Sequence, residues 1–400
     1  MKIGIMCHSS CGGSVRISVD LANALAERGN KVHLFSPHPP ELSFENKSGI
    51  ILHYLVPGRL NKAKRSLLVT EWPQNKMRAF VGMILSSIEN DSLDILHYHY
   101  ALPFAFVAQI IKKKLGSLAP QIIGTLHGTD VSLYGKDPVK SKQLIECFES
   151  TDAFTTVSQS HADLAVKYFN FSSSPTVIPN FVDMEKFKDK NLSNTKNSDL
   201  KANPPIIIHI SNFRPIKDTL TVGKIFSLIK KEIDAKLWLV GVGPDLAGLK
   251  RFFKEKGIEK SVYYWGFKQD YTHILRRADL SLITSLSESF SLFTLESLAS
   301  KVPVLATNVG GLSDLVIPEK TGFLFPLGDI HLASRLALNF FSDSDKQKLL
   351  KTNAREHSYN FTLESSVCAY EELYKSRMRY YQLNKPPDRR VVFSKDLNFN

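Results

Sequence analysis

The chain alternates short apolar runs with stretches in which apolar residues recur at helical spacing. Lys2 to Cys7 predicts a buried strand, Val15 to Arg28 a helix that ends at Gly29, and Lys31 to Ser36 a second strand. Two strands joined by a helix form a βαβ unit with a right-handed crossover. The pattern therefore predicts that the chain opens as a parallel α/β sheet.

The same alternation continues to the C-terminal region. The further strands expected are Asp94 to His99, Gln121 to Leu126, Ala153 to Val157, Thr176 to Ile178, Ile206 to Ile210, Leu237 to Val240, Val262 to Trp265, Leu280 to Thr284 and Val304 to Thr307. We expect two Rossmann-like, doubly wound domains, residues 1–185 and 205–365, joined by a polar linker at 186–204 and facing each other across a cleft. A helix at 366–383 is expected to pack back on the first domain, and a basic tail at 384–400 to be poorly ordered.

Composition and charge exclude several classes of protein. The 400 residues, 43% hydrophobic and 22% charged, fit a globular protein with large cores. The formal net charge of +12 indicates an anionic partner: a nucleic acid, a membrane surface or a phosphorylated small molecule. No apolar run is long enough to span a membrane, and the N-terminus resembles a strand rather than a signal peptide, which predicts a cytoplasmic protein.

Two glycine turns stand at strand ends. Gly12-Gly13-Ser14 opens the first helix, where backbone N–H groups can approach an anion, and Gly241-Val242-Gly243 follows a strand of the second domain. A tight turn that needs a positive φ explains the first of them equally well. No acidic residue follows it at the distance needed to bind an NAD ribose, so a nicotinamide enzyme is disfavoured. Cys7, His8 and Cys11 lie close together but lack the second ligand pair of a zinc site.

The strongest chemical signal is a pair of glutamates, Glu288 and Glu296, at the start of a predicted helix. The first should lie in the loop after a strand and the second two turns into the helix, both on the cleft side. Ser289 and Ser291 are capping candidates at the helix N-terminus, where a diphosphate can bind. The alternative is a solvated pair of glutamates on an exposed helix face.

With Phe290, Gly310-Gly311 and Thr321-Gly322-Phe323, this Glu-x7-Glu motif resembles the donor-binding domain of the retaining GT-B glycosyltransferases of family 4. The resemblance extends from the Gly12 turn to about residue 380. It implies a GT-B fold and a nucleotide-sugar substrate. It also implies a front-face substitution that keeps the configuration of the sugar, in which the leaving phosphate takes the proton of the acceptor hydroxyl.

The resemblance assigns roles to individual residues. It implies that Glu296 holds the ribose hydroxyls, that Glu288 contacts the transferred sugar, and that Arg214 and Lys217 neutralise the diphosphate, so that neither a metal nor another cofactor is required. His127 is expected to contact the transferred sugar, a buried structural histidine being the alternative. The other residues expected at the donor are Gly13, Ser14, Asn212, Gly241, Gly243, Ser291 and Leu292.

The segments Leu96 to Pro103, Leu126 to Asp130, Ile178 to Asp183 and Ser211 to Arg214 narrow the resemblance. They are similar to the family members that transfer GlcNAc from UDP-GlcNAc to L-malate in bacillithiol biosynthesis. The acceptor contacts expected are Arg16, Tyr100, Thr129 and Asn180. The helix that carries the malate-binding arginine in those members reads Lys142 to Phe148 here, without an arginine. Arg16 or Lys142 is expected to supply the missing charge, Arg16 being the nearer replacement. The family also usually has glycine where Ser291 stands.

Two other classes of function stay open. Residues 58–78 interleave basic residues with Leu and Trp, which favours peripheral contact with an anionic membrane and a lipid or lipopolysaccharide acceptor. A solvated surface would have the same composition. A nucleotide-sensing or nucleic-acid-binding protein is disfavoured because no recognition motif is present, and homodimer formation is left open.

Overall fold

The computed structural model describes residues 1–9, 12–40, 49–57, 71–187 and 204–384. They form two parallel sheets, of seven and six strands, in an α/β arrangement. Residues 188–203 of the predicted linker and 385–400 of the predicted tail lie outside the described residues, as do residues 58–70 of the basic segment.

The first sheet contains seven strands with helices between them. The strands are β1 (Lys2–Met6), β2 (Lys31–Ser36), β3 (Ile50–Tyr54), β4 (Ile95–His99), β5 (Gln121–Leu126), β6 (Ala153–Thr156) and β7 (Thr176–Val177). Their order is β3-β2-β1-β4-β5-β6-β7, and all neighbours are parallel. The winding reverses between β1 and β4, so the loops after these two strands open a crevice at the carboxyl edge of the sheet.

The helices of this part are amphipathic or buried. They are α1 (Gly13–Glu27), α2 (Gln74–Asp91), α3 (Ala101–Leu115), α4 (Thr129–Ser132), α5 (Pro138–Phe148) and α6 (Gln159–Phe169), with 3₁₀ turns at Gly116–Leu118 and Met184–Phe187. In α1, Val15, Val19, Ala22 and Leu25 recur at helical spacing and are buried. Because that face packs on the sheet, the N-terminus of α1 is held at the crevice.

The second sheet repeats this architecture. Its strands are β8 (Ile206–Ile210), β9 (Lys236–Val240), β10 (Val262–Gly266), β11 (Leu280–Ile283), β12 (Val304–Thr307) and β13 (Gly322–Phe325), in the order β10-β9-β8-β11-β12-β13. The helices are α7 (Thr219–Glu232), α8 (Leu246–Glu255), α9 (Thr272–Leu275), α10 (Leu292–Ala299), α11 (Leu312–Leu315), α12 (Ile330–Ser342), α13 (Ser344–Ser358) and α14 (Leu363–Asn384), with 3₁₀ turns at Pro215–Lys217, Glu259–Ser261 and Tyr359–Phe361. The reversal here lies between β8 and β11.

Helix α14 leaves the second domain and packs on the first. Val367, Tyr370 and Tyr374 are buried in the core cluster that contains Ile3 and Leu21. The Tyr374 hydroxyl lies 2.7 Å from His97 Nδ1 in β4. The end of the chain therefore helps to form the core of the first domain. No described helix is long and apolar enough to cross a membrane.

Candidate active site

Lys217 and Glu288 meet at the reversal point of the second sheet. Lys217 ends the 3₁₀ turn after β8, and its ammonium forms a close ion pair with Glu288 Oε1 from the loop after β11. The Ser285 hydroxyl donates to the same carboxylate oxygen at 2.8 Å. Thr284 ties the two loops together because its hydroxyl donates to the Lys217 carbonyl at 2.9 Å. The second domain thus presents a paired cation and carboxylate at the cleft.

Glycines allow these two loops to lie close to their supports. A Cβ on Gly241 would lie 1.9 Å from the Ser211 carbonyl oxygen, and one on Gly243 would lie 1.8 Å from that of Asn212. In the same way, a Cβ on Gly310 would lie 2.1 Å from the Glu288 carbonyl oxygen. Any larger residue at these positions would push a cleft loop away. Gly241 and Gly243 therefore shape the loop that carries Asn212 and Arg214.

Glu296 is buried where the two domains meet. Its side chain is only 3% exposed, and Glu288 is 12% exposed, so the pair is not the solvated helix face considered as the alternative. Arg16 of the first domain forms a close ion pair with Glu296 Oε1, and the Tyr271 hydroxyl donates to Oε2. The predicted position two turns into the helix is wrong, because α10 begins at Leu292 and Glu296 is its fifth residue.

In the buried cluster of Arg16, Tyr271 and Glu296, the side chains offset the effect of burial on one another. Burial alone would lower the pKa of Arg16, but the Glu296 carboxylate more than reverses this and holds the pKa above its usual value. Burial, reinforced by the same carboxylate, raises the pKa of Tyr271 well above normal. Tyr271 therefore stays a hydrogen-bond donor. Glu296 keeps further lone pairs with which to accept hydrogen bonds from a ligand.

The first domain faces the cleft with histidines. His127 follows β5 directly, and its Nε2 lies 2.9 Å from Nδ1 of His99 in β4. Burial lowers the pKa of His127 to about 4 and that of His99 well below its usual value. Both rings are therefore neutral near pH 7.

Asp130 fixes the loop that carries His127. Its carboxylate accepts from the backbone N–H groups of His127, at 3.0 Å, and Gly128, at 2.6 Å. It also accepts from the backbone N–H of Ala101 at 3.2 Å, which joins the loops after β4 and β5. Burial opposes its ionisation, but His161 and these N–H groups outweigh that effect and lower the pKa of Asp130.

The residues expected at the acceptor lie in the first domain. The hydroxyls of Tyr100 and Thr129 are in close contact, and the charge of Arg214 is near enough to oppose the burial that raises the pKa of Tyr100. Asn180 is buried in the segment after β7. Arg16, also expected at the acceptor, forms its ion pair with Glu296 of the second domain.

Hydrogen bonds join the two domains around the cleft. The Ser289 hydroxyl donates to the His127 carbonyl at 2.5 Å, and the Ser158 hydroxyl donates to the Ser289 carbonyl, also at 2.5 Å. At the start of α6, the backbone N–H of Gln159 donates to Asp314 Oδ2 at 3.1 Å. The Glu288 loop is thereby seated on the loop that follows β5.

The α1 turn approaches the second domain closely. A Cβ on Gly13 would lie 3.0 Å from Leu292 Cδ1, a tight contact that the leucine side chain would have to relieve. Ser14 follows in the first turn of α1, where backbone N–H groups have no partner within the helix and are available to an anion. The Gly12-Gly13-Ser14 turn therefore lies next to the start of α10.

Backbone strain marks three of the cleft loops. Tyr100, Phe213 and Ser291 have φ angles of 85°, 43° and 79°, which non-glycine residues rarely adopt. At Ser291 this explains why glycine is usual in the family. The serine compensates by capping α10, where its hydroxyl accepts from the Thr294 N–H at 3.4 Å. Ser289 is not the cap and makes the contact with His127 described above.

Several residues of the site were not predicted from the sequence. Tyr271, Ser285 and His99 contact a predicted residue directly, while Asp130 had been noted only as part of a motif. His99 carried a usable signal because it ends a buried strand next to the strand before His127. Tyr271 carried none, since it lies 25 residues from Glu296 in a polar loop.

Among the described residues, no group of three or more His, Cys, Asp or Glu side chains is arranged to hold a metal ion. Two aspartates, Asp343 and Asp345, are separated by one residue at the start of α13. There the Asp343 carboxylate caps the helix by accepting from the N–H groups of Asp345 and Lys346.

Comparison with known proteins agrees with this geometry. Residues 11–186 match the family model described as Glycosyltransferase Family 4, and residues 191–357 match Glycosyl transferases group 1. The N-acetyl-alpha-D-glucosaminyl L-malate synthase of Bacillus anthracis is 32% identical over 95% of this chain and 98% of its own length. The chain therefore belongs to the family 4 glycosyltransferases of the GT-B fold.

Solved structures share the whole fold. A glycosyltransferase from Rickettsia africae superposes with a TM-score of 0.76 at 19% identity, covering 94% of this chain and 98% of that one. Anabaena HepE, solved in complex with UDP-glucose, gives a TM-score of 0.75 at 18% identity over 94% of this chain and all of its own. The expected fold class is confirmed.

Proposed function

We propose that the protein is a retaining glycosyltransferase that transfers GlcNAc from UDP-GlcNAc to the hydroxyl group of L-malate. The observation that carries the proposal is the placement of Glu288 and Glu296, each held by a cation, in the cleft of a family 4 enzyme. The whole-chain match to the Bacillus anthracis malate synthase supports the choice of donor and acceptor.

In this proposal the second domain binds the donor. Glu296 accepts hydrogen bonds from the ribose hydroxyls, and Glu288 meets hydroxyls of the sugar. Lys217 and Arg214 neutralise the diphosphate, assisted by the N–H groups of the first turn of α1. The ion pair with Glu288 keeps Lys217 in the loop before the donor arrives. A metal ion is not required, because these cations meet the charge that develops on the leaving group.

The transfer breaks one bond and forms one bond at the anomeric carbon. The malate hydroxyl attacks from the face that UDP leaves, and the bond between the carbon and the β-phosphate oxygen breaks. The proton of the hydroxyl passes to that phosphate oxygen, so UDP leaves without a protein base. The protein contributes position and electrostatics, with preorganised cations aimed at the oxygen that gains charge.

The acceptor lies against the first domain in this proposal. Tyr100 and Thr129 offer hydroxyls, and Asn180 an amide, while malate needs partners for two carboxylates. Arg214 is near Tyr100 and can serve one of them. Arg16 already carries an ion pair with Glu296, so a role at the acceptor requires it to exchange partners.

Release of UDP from a panel of nucleotide sugars tests the proposal. We expect UDP-GlcNAc to be the preferred donor, L-malate at millimolar concentration to stimulate release, and EDTA to leave the rate unchanged. The product should keep the α configuration by NMR. Complete dependence on Mg²⁺ or Mn²⁺, or no response to malate, would contradict the corresponding part.

The same panel includes lipid extracts, because a lipid acceptor was the alternative. In the described part of the basic segment, the Trp72 ring packs on Phe80 and Phe104, with centroids 5.0 and 5.6 Å away, and Met77 packs against the same core cluster. Both side chains are therefore half-buried and engaged with the core of the first domain. Stimulation by lipid but not by malate would instead favour the lipid acceptor.

A further inference from the structure

The carboxyl ends of β4 and β5 bring three buried imidazoles together. His97 and His99 alternate along β4, with ring centroids 4.2 Å apart, and His127 follows β5 with its ring centroid 5.1 Å from that of His99. Burial lowers the pKa of His97 to about 3, and those of His99 and His127 are also lowered. Each ring is therefore neutral and carries one proton, on one of its two nitrogens.

Both ring nitrogens of His97 have hydrogen-bond partners, whereas only one of the two nitrogens of His99 has a partner among the described residues. His97 Nδ1 lies 2.7 Å from the Tyr374 hydroxyl, and its Nε2 lies 2.7 Å from the Thr125 hydroxyl. His99 uses Nδ1 toward His127, but its Nε2 is buried and has no hydrogen-bond partner within the described part of the chain. This unpaired nitrogen determines where the protons of the last two rings reside.

Two proton arrangements satisfy the bond between His99 and His127. With the His99 proton on Nε2, a buried N–H would have no acceptor and His127 Nε2 would donate. With the proton on Nδ1, His99 donates to His127 Nε2, and only a lone pair is left unpaired. Buried N–H groups without an acceptor are the rarer and costlier case, so the second arrangement is favoured.

The position of the proton on His127 follows directly. If Nε2 accepts from His99, the neutral ring of His127 must carry its proton on Nδ1. Nδ1 is the nitrogen that remains available to a ligand, since Nε2 is engaged by His99. His127 lies at the cleft, because the Ser289 hydroxyl of the second domain donates to its carbonyl.

We propose that His99 is a positioning residue that fixes the tautomer of His127, so that His127 presents an N–H donor rather than a lone pair to the ligand in the cleft. Resting on the proposed function, the matching ligand atom is an acceptor oxygen, either a hydroxyl of the transferred sugar or an oxygen of the leaving group. A neutral donor here also means that His127 is not the base that removes the acceptor proton.

NMR on the unliganded protein with ¹⁵N-labelled histidine tests the tautomer without any substrate. Two rings act as internal references, since a carbonyl oxygen can only accept. His209 Nδ1 lies 2.8 Å from the Leu282 carbonyl and must carry the proton, and His8 Nε2 lies 3.0 Å from the Leu102 carbonyl and must carry it there. We expect His127 to match His209. A match to His8, or a mixture of the two forms, would overturn the proposal.

Variants of His99 test its role. His99→Leu removes the donor, so we expect His127 to lose its single tautomer, while His99→Asn, whose amide nitrogen can replace Nδ1, should restore it. His99→Leu should also lower kcat/KM for the donor about tenfold with little change in the Kd of UDP, which lacks the sugar. An unchanged His127 spectrum in His99→Leu would refute the role of His99. Lack of transfer in the wild type with a spectrum as expected would count against the proposed function alone.

Discussion

The two walls of the cleft differ in the buried polar groups that predominate, although the first also buries Asp130 and the second His209. The first domain buries imidazoles without charge and pairs them with hydroxyls, carbonyls and one another. The second domain buries two carboxylates and pairs each with a basic side chain, Glu288 with Lys217 and Glu296 with Arg16. Neutral donors suit a sugar and its hydroxyls, and paired charges suit a diphosphate, because the incoming ligand can exchange for an existing partner.

The two walls also differ in whether their ion pairs lie within one domain or between the two. The ion pair of Glu288 lies within the second domain, but that of Glu296 reaches across 280 residues to Arg16 in the first. Glu296 also accepts from the Tyr271 hydroxyl of its own domain, so one of these two partners belongs to each wall.

Loss of the cation within the second domain should have the largest effect. Lys217→Ala removes the charge expected at the leaving phosphate and leaves Glu288 without its ion pair. We expect kcat to fall about 10²-fold or more, by comparison with the loss of one preorganised transition-state contact. Steady-state UDP release measures this, and Lys224→Ala, at an exposed position of the following helix, is the matched control. An unchanged kcat would remove Lys217 from the mechanism.

Lowering the pH should destabilise the first domain before the second. The first-domain rings whose pKa is lowered are His8, His33, His53, His97, His99 and His127, against His209 and His357 in the second. These rings are neutral in the folded protein but bind a proton below about pH 6.5 in the unfolded chain. Their contribution to the free energy of unfolding is therefore present above that pH and is lost as the pH falls toward 4. A ring with a pKa of about 4, such as His8, should lower the free energy of unfolding by about 2 kcal/mol at pH 5.

Native-state hydrogen exchange at pH 7 and pH 5 measures this difference. Amides of β4 and β5 should lose more protection than those of β8 and β9. His8→Gln keeps an amide donor for the Leu102 carbonyl but cannot titrate, and it should reduce the pH dependence of the first domain. Equal losses in both sheets would contradict the comparison.

The two glutamates should separate in binding experiments. Glu296→Gln weakens the acceptor of the ribose hydroxyls and leaves Arg16 without its counter-charge, so we expect the Kd of UDP to rise about tenfold, the equivalent of about 1.4 kcal/mol. Glu288→Gln should leave the Kd of UDP nearly unchanged and slow turnover of the intact donor. Calorimetric titration with UDP measures both, and wild-type affinity in both variants would remove the pair from the donor site.

Loss of the cation that crosses the cleft should have the smallest effect. Arg16→Ala leaves Glu296 with its Tyr271 partner, so we expect the Kd of UDP to rise only about threefold, within the range of one partly exposed ion pair. Arg28→Ala, on the far end of the same helix, is the control. A tenfold rise in the KM for malate with unchanged UDP affinity would instead assign Arg16 to the acceptor, as the sequence suggested.

Local pattern was sufficient for most of the fold. Gln121–Leu126, Ile206–Ile210 and Val304–Thr307 were predicted with the bounds that the structure has, because buried parallel strands are continuous apolar runs between turns. Two strands were missed. Ile50–Tyr54 is a half-exposed edge strand and Gly322–Phe325 begins with a glycine. Each contains only three consecutive apolar residues, Ile50 to Leu52 and Phe323 to Phe325.

Site residues that lie on one segment of the chain could be predicted from the sequence. Contacts between residues on distant segments could not. The spacing of Glu288 and Glu296, and the basic loop containing Lys217, are local and were found. The partners of Glu296 come from a helix of the other domain and from an unremarkable loop, and no spacing rule joins them. The same reason hid the pairing of His99 with His127, which depends on the register of β4 beside β5.

The crossing of α14 sets the order in which the protein can be completed during synthesis. The first domain emerges from the ribosome before the second, but its core includes Val367, Tyr370 and Tyr374, which are made near the end. Until they emerge, His97 lacks its tyrosine partner and the apolar side chains around Ile3 and Leu21 stay partly uncovered. Completion of the first domain's core therefore waits for the last helix.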